Sequence, residues 1–235
     1  MMAFSSFANR LPDPVFKITE AGENSNSGLA GPGFASVKFS SDQPISVSKT
    51  NSGRVITRAI VSHSWKINIT YNPMTRDEFE PVYNFLLEKR GRLKPFFVKL
   101  PQHSPRTTTS GTYTIQGPVT AGTSSLLTTV GSLSGGLRPG DMININDSQN
   151  SNHTKAYQII KVNDSTNKLS SDSDLNLASE RRLFIVPPLA RDVTNSSTVT
   201  YATPLIRVIQ TSDVQEYDLG TNNLYQFSLN LEEAQ

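Results

Sequence analysis

The sequence predicts a mainly β protein with a single α-helix. Apolar residues make up 36% and charged residues 18% of the 235 residues, and Ser, Thr and Asn fill much of the remainder. Short runs of alternating apolar and polar residues, separated by Gly, Pro and Asn, are typical of strands joined by turns. Only residues 65–101 combine an alternating strand, a capped helix and a second strand. We therefore expect a β-rich fold with one helix packed on a sheet.

The helix is predicted between Thr75 and Gly91. Thr75 lies three residues before Glu78, the spacing of a capping box, in which both residues satisfy free amides at the helix start. Gly91 follows two cations, which is typical of a helix C-terminus. Pro81 is expected to bend the helix or delay its start. The residues predicted to pack the helix on the sheet recur at helical spacing and are Phe79, Val82, Tyr83 and Leu86.

The N-terminal half predicts an arm followed by a long hairpin. Residues 1–35 are rich in Pro and Gly, and we expect an extended arm with little core of its own and one short strand at 15–19. Residues 36–71 predict a hairpin with its turn at 49–53. Its second strand is predicted to continue into Trp65, which makes it much longer than a typical strand. Because free strand edges tend to pair, such a hairpin calls for an external partner.

A second β-domain is predicted as an insertion at residues 105–189. Short apolar pieces alternate there with turns, as in a small β-barrel or sandwich, and Pro101 and Pro187-Pro188 mark the expected entry and exit. Residues 36–104 and 190–235 would then form one discontinuous β-domain. Within it, Tyr201–Gln210 is predicted as one strand with Pro204 at an edge or bulge. The run 224–231 is predicted to close the sheet.

No pattern of residues indicates catalysis, a cofactor or a strong metal site. The chain has no cysteine, which excludes disulfides, zinc–thiolate sites and thiol nucleophiles. His63, His103 and His153 have no partner at metal-ligand spacing, and His103 is expected to be a solvated loop residue. Asp141 is interpreted as a turn residue ahead of a strand. Weak calcium binding by the oxygen-rich stretches 144–147 and 172–174 remains an alternative.

The charge distribution and hydropathy exclude further classes. The formal net charge of +2 gives no global field that attracts nucleic acid or membranes. The densest basic cluster, residues 89–94, is interpreted as a solvated helix end or a subunit contact rather than a phosphate site. No apolar run approaches the roughly 18 residues needed to span a membrane. We also expect no secretory signal at the start of the sequence.

The order of these features resembles the tail-tip proteins of tailed bacteriophages, which include distal tail and minor tail proteins built on the tail-tube fold. The resemblance covers residues 36–235. The tube domain is represented by Trp65, Tyr71, Glu78-Phe79, Phe85, Arg90-Gly91-Arg92, Pro95-Phe96 and Pro101. The inserted barrel, SH3-like or OB-like in such proteins, is represented by Leu126, Leu137, Gly140-Asp141, Tyr157 and Pro187-Pro188. The last strands are represented by Pro204, Ile206, Tyr225, Phe227 and Leu229.

The resemblance implies a structural virion protein without catalysis or cofactor. Copies would form a ring, expected to be hexameric, at the distal end of the tail tube or in the baseplate hub, with DNA passing through its channel. The implied partners are further copies, the tail tube protein and other tail-tip or baseplate proteins, with no membrane and with synthesis in the host cytoplasm. In such rings a long hairpin reaches the neighbouring subunit, and its candidate residues here are Ile45, Val47, Arg54, Val55, Ile56, Arg58 and Ile60. The channel is expected to be faced by Ser46, Ser48, Ser62 and Ser64.

Two other function classes stay open from the sequence. A carbohydrate-binding or host-adhesion module would use residues 105–190, and exposed aromatic side chains there would favour it. Tyr113 and Tyr157 are the few candidates, and both are interpreted as strand core. A tail-associated hydrolase would need paired carboxylates in a cleft, and the sequence offers no convincing pair.

Overall fold

The computed structural model describes residues 9–18, 31–59, 63–103, 111–130, 136–163 and 179–234. The chain divides into two compact units, one formed by Met1–Val98 with Arg207–Ala234 and the other by Lys99–Ile206. Both units are built from strands, and the described part of the chain contains one α-helix. The prediction of a mainly β fold with one helix and a small β-barrel is confirmed.

The elements of the first unit fall in two blocks of sequence. Its N-terminal block contains β1 (Phe34–Asp42), β2 (Ile45–Lys49), β3 (Val55–Ala59), β4 (Ser64–Tyr71), α1 (Arg76–Lys89) and β5 (Phe96–Val98). The second unit follows with a 3₁₀ turn (Pro101–His103), β6 (Tyr113–Ile115), β7 (Ser125–Val130), β8 (Met142–Asn146), β9 (Ala156–Asn163), β10 (Glu180–Val186) and β11 (Thr198–Thr200). The C-terminal block adds β12 (Ile206–Gln210), β13 (Asp218–Leu219), β14 (Tyr225–Gln226) and β15 (Ser228–Glu233).

A five-stranded sheet forms the centre of the first unit. Its strand order is β1-β4-β15-β12-β5, and β4 pairs antiparallel with β1 on one side and with β15 on the other. The alternation predicted for β4 is observed, because Trp65, Ile67, Ile69 and Tyr71 are buried while the residues between them are not. One face of the sheet is therefore core and the other is polar.

The helix packs on the core face of this sheet. It begins at Arg76, so Pro81 does not delay its start, and the Glu78 carboxylate accepts hydrogen bonds of 3.0 Å from both the amide and the hydroxyl of Thr75. Gly91 has a φ of +61°, as expected at the helix end. Of the residues predicted to pack on the sheet, Phe79, Val82 and Leu86 are buried and Tyr83 is half-buried. Aromatic contacts join the helix to the sheet region: Phe79 to Phe227 at 6.0 Å and Phe85 to Phe96 at 5.4 Å between ring centroids.

Residues 9–18 pack against the first unit and differ from the expected extended arm. The Leu11 amide donates to the Phe97 carbonyl at 2.8 Å, and the Tyr71 hydroxyl donates to the Pro12 carbonyl at 2.8 Å. Leu11, Phe16 and Ile18 are buried. Their apolar surface anchors the segment, although its Pro and Gly content suggested a chain without a core. Residues 13–16 form a turn in place of the predicted strand, and residues 1–8 and 19–30 lie outside the described part of the chain.

The second unit is a closed six-stranded barrel with the order β10-β7-β6-β11-β8-β9. The short apolar pieces of this region form strands β6 to β10, and the inward residues of the barrel build one hydrophobic core. The domain was predicted to end at residue 189, whereas the barrel unit continues to Ile206. The reason is that Val193 and Val199 are core residues and that β11 closes the barrel between β6 and β8. The predicted strand Tyr201–Gln210 is interrupted, and only Ile206–Gln210 is a strand there.

Candidate assembly surface

The β2–β3 hairpin is a separate two-stranded sheet in the described structure. Ile45 pairs with Ala59 and Lys49 with Val55, in a continuous antiparallel register. The hairpin follows β1 and precedes β4, whose own pairing ends with Asp42 opposite Ser64. The predicted continuation of the hairpin's second strand into Trp65 passes through residues 60–62, which lie outside the described residues, so it stays a prediction.

The turn of the hairpin explains why the chain reverses at residues 50–54. The Gly53 amide donates to the Thr50 carbonyl and the Thr50 amide to the Arg54 carbonyl, both at 2.9 Å. Gly53 has a φ of +81°, which glycine adopts without steric cost. The Thr50 hydroxyl also accepts the Arg54 amide at 3.1 Å. Local hydrogen bonds thus fix the tip without help from the rest of the unit.

The two faces of the hairpin differ in chemistry. Residues directly opposite each other in an antiparallel pair point to the same side, and side chains alternate along each strand. The register therefore places Ile45, Val47 and Val55 on one face together with Lys49 and Thr57, and it places Ser46, Ser48, Ile56 and Arg58 on the other. The first face is largely aliphatic, whereas the second is mostly polar.

Both faces of the hairpin are exposed in the single chain. Every residue of β2 is exposed, and the side chains of Ile45, Val47 and Val55 are exposed to 59%, 60% and 50%. An isolated two-stranded hairpin is marginally stable in water, and full burial of an aliphatic side chain contributes about 1.5–3 kcal/mol. Covering the aliphatic face of this hairpin with a partner is therefore expected to stabilise the complex.

The candidate contact residues predicted from the sequence lie together on this hairpin, except for one. Arg54 is at its tip and Arg58 on its more polar face, and neither forms an ion pair with a described residue. Ile60 and Ser62 lie outside the described residues. Ser64 lies instead on the polar face of the main sheet, where its hydroxyl donates to Glu232 Oε1 at 3.2 Å.

The polar face of the five-stranded sheet is a second candidate surface. The register aligns three rows of side chains on β1, β4 and β15: Ser40, Lys66 and Glu232; Lys38, Asn68 and Asn230; Ser36, Thr70 and Ser228. The Asn68 amide donates to Asn230 Oδ1 at 2.5 Å, and Lys66 Nζ lies 2.5 Å from Asp42 Oδ2. Most of these residues were not predicted to form a surface, although their alternation with Trp65, Ile67 and Ile69 is visible in the sequence. The face is hydrophilic, with charges of both signs.

The histidines occupy structural positions. His153 is buried, its Nε2 lies 2.8 Å from the Tyr157 hydroxyl, and burial lowers its pKa. His103 is half-buried rather than fully solvated, and partial burial lowers its pKa to about 4. His63 Nε2 lies 2.9 Å from the Ser41 hydroxyl, at the junction of hairpin and sheet. Within the described residues, no group of three His, Asp or Glu side chains is placed to hold a metal ion.

The aspartates considered as sites also have structural partners. The Asp141 carboxylate accepts the Arg138 amide at 2.7 Å, which makes it a turn residue before β8, as interpreted. Asp147 is buried and accepts the amide and hydroxyl of Thr194 at 2.9 and 2.7 Å. The Thr194 hydroxyl is the main reason that the pKa of Asp147 is lowered. Residues 172–174 lie outside the described chain.

The other sequence-based alternatives gain little from the geometry. Tyr113 and Tyr157 are buried in the barrel core, as interpreted, so neither offers a face for a sugar to stack on. The Arg92 guanidinium is bonded to the Thr211 carbonyl, which gives part of the basic cluster a structural contact. No helix of the described residues is long and apolar enough to cross a membrane.

Comparison with known proteins agrees with a tail protein. No family model matches the sequence. The chain is 29% identical over 177 residues to distal tail protein pb9 of Escherichia phage T5, in an alignment that covers 75% of this chain and 77% of that protein. The chain is thus similar to a bacteriophage distal tail protein over most of its length, and the predicted resemblance to phage distal tail proteins is confirmed.

Proposed function

We propose that the chain is a structural component of a bacteriophage tail, in which copies form a closed hexameric ring at the distal end of the tail tube. The observation that carries the proposal is the uncovered aliphatic face of the β2–β3 hairpin, with Ile45, Val47 and Val55 each at least half exposed. The similarity to a phage distal tail protein supports the tail assignment. A contact between different patches on neighbouring copies generates a ring when its rotation closes.

In this ring the polar face of the main sheet would line the channel. Ser36, Asn68, Thr70, Ser228 and Asn230 offer small or neutral polar groups there. Lys66 carries a charge that Asp42 balances. A channel that passes DNA must not bind phosphates tightly, and mixed charge limits that attraction. The protein would act by assembly with the tail tube protein and other tail-tip or baseplate proteins, without catalysis or cofactor.

The mass of the purified protein in solution, with negative-stain images of the assembled fraction, tests this proposal. The expected particle has about six times the 25.8 kDa mass of one chain and a central hole. Protein mixed with the tail tube protein provides the template if the ring forms only there. A protein that remains monomeric under both conditions would contradict the proposal.

A matched pair of substitutions tests the role of the hairpin in the ring. Val47→Asp places a charge on the aliphatic face and should abolish the ring, because burying an unpaired carboxylate is costly. Ile160→Asp in β9 is the control, since Ile160 is similarly exposed at 56% but lies in the barrel unit. It should leave ring formation unchanged. Equal ring formation by both variants would show that the hairpin face is not the contact.

A further inference from the structure

A second exposed apolar surface lies at residues 213–219, which we name the acidic segment. Val214, Tyr217 and Leu219 are exposed to 66%, 46% and 55%. The same stretch carries Asp213, Glu216 and Asp218 and no cation. The combination of exposed apolar and acidic side chains suits a basic, apolar partner.

The acidic segment is held in place by the helix and by β14. The Tyr217 ring lies 5.0 Å from Phe79 and 5.3 Å from Tyr83 between centroids. Gln215 Nε2 donates to the Leu86 carbonyl at 3.1 Å, and Leu219 pairs with Tyr225 in the β13–β14 ladder. A surface fixed by such contacts loses little conformational entropy when a partner binds.

A polar cleft of about 240 Å³ adjoins the acidic segment. It is bounded by Val214, Gln215 and Glu216 on one side and by Phe227–Asn230 on the other. β12 pairs with Leu231–Glu233, and the Thr211 amide donates to the Asn230 carbonyl at 3.0 Å. Among the described residues, no strand pairs with Ser228 and Leu229 on this side of β15. Gln210 also lines the cleft, is 3% exposed, and its Nε2 has no acceptor among the described residues. An unpaired buried donor is costly, so the cleft favours an occupant with hydrogen-bonding groups.

The β2–β3 hairpin has the complementary chemistry. It carries Lys49, Arg54 and Arg58 and no acidic residue between Gln43 and Ala59. The acidic segment offers the carboxylates of Glu216 and Asp218, while its third carboxylate, Asp213, lies 3.9 Å from the Arg92 side chain. The hairpin also presents exposed aliphatic side chains. Opposite charges on two exposed apolar surfaces speed their encounter and fix the alignment of the two surfaces in the contact.

We propose that the hairpin of one copy docks on the acidic segment and its cleft in a second copy. Within one chain the two surfaces lie at opposite ends of β4, because Ser64 pairs with Asp42 at the hairpin end and Met74 bonds to Tyr225 beyond the other end. The contact is therefore head-to-tail between copies. It rests on the proposed function only in treating the hairpin as an assembly element, and it names the surface that receives it.

Disulfide trapping tests the contact directly, because the native chain contains no cysteine. Val47→Cys protein is mixed with Leu219→Cys protein under oxidising conditions, and both positions are exposed, so neither variant should unfold. A disulfide-linked dimer containing one copy of each variant is expected. Val47→Cys mixed with Ile160→Cys is the control and should give much less of it. Equal cross-linking in the two mixtures, or none in either, would overturn the docking.

Charge reversal supplies an independent test. Lys49→Glu with Arg54→Glu, on the face of Val47 and at the tip, should weaken association on the order of tenfold or more, as expected when like charges face each other. Combining that variant with a Glu216→Lys and Asp218→Lys variant should restore association in mixed assemblies. Failure of the combination to recover any association would overturn the pairing.

The outcomes separate this proposal from the ring itself. Six-fold rings without a 47–219 cross-link would leave the ring intact and reject the acidic segment as the receiving surface. A cross-link in open filaments would support the docking and reject closure into a ring. If the hairpin docks instead on another tail protein, the Val47→Cys variant would cross-link only when that protein is added. This result would also reject the contact between copies.

Discussion

The β2–β3 hairpin and the inserted barrel show two ways of building antiparallel strands from similar alternating sequences. The barrel closes on itself, so each of its six strands has two neighbours and its aliphatic residues meet in one core. The hairpin has two strands, open edges and an aliphatic face exposed to solvent. Alternation in sequence therefore shows which residues share a face, but not whether the same chain covers that face.

The largest expected effect on stability is the difference between truncating a buried isoleucine of the barrel and truncating an exposed isoleucine of the hairpin. Ile185→Ala in the barrel core should lower the free energy of unfolding by about 2–5 kcal/mol, because the residue is fully buried and its removal leaves a cavity. Ile45→Ala on the hairpin should change it by less than about 0.5 kcal/mol in the monomer. Urea unfolding of both variants at low protein concentration measures the difference. A large loss from Ile45→Ala would mean that the hairpin face is covered within the single chain.

An intermediate effect is expected at the loop that ties β8 to the start of β11. Asp147→Ala should cost about 1–3 kcal/mol, because the amide and hydroxyl of Thr194 lose their acceptor. The pKa of Asp147 is below its ordinary value, so its contribution is present above about pH 4 and is lost as the pH falls through the folded-state pKa. Unfolding measured from pH 7 to pH 2 should show less acid sensitivity in the variant. If the variant lost stability at low pH as steeply as the wild type does, the attribution of this loss to Asp147 would be contradicted.

A smaller, pH-dependent effect is expected from two histidines of the barrel unit, the buried His153 and the half-buried His103. Burial lowers the pKa of both His153 and His103, so the unfolded chain takes up protons first as the pH falls. Asp147 opposes and Arg191 reinforces this shift at His153. Stability should therefore decline as the pH falls below about 6.5, the ordinary histidine value. His153→Gln should reduce that decline and His153→Gln with His103→Gln should remove most of it, as judged by thermal unfolding at pH 7 and pH 5. A double variant with the wild-type decline would refute the explanation.

Elements with a local chemical signal were predictable from the sequence. Thr75 and Glu78 marked the helix start, Gly91 its end, and the residues around Gly53 the hairpin turn. Each depends on contacts between residues close in sequence, which is why a single sequence suffices to read them.

Features that depend on distant contacts were not predictable. Residues 9–18 contain prolines and no periodic pattern, yet Leu11 is buried beside β5, far along the chain. β11 has only three residues, and its place in the barrel depends on pairing with both β6 and β8. The exposure of the acidic segment depends on the helix packed against Tyr217, which lies far away in the sequence.

Hydrogen exchange of the hairpin amides, compared between monomeric and assembled protein, tests most directly whether the hairpin is an assembly element. We expect fast exchange of the β2 and β3 amides in the monomer and strong protection in the assembled fraction, with the barrel amides protected equally in both. Hairpin amides that exchange equally fast in monomer and assembly would contradict it, because assembly would then proceed without covering the hairpin.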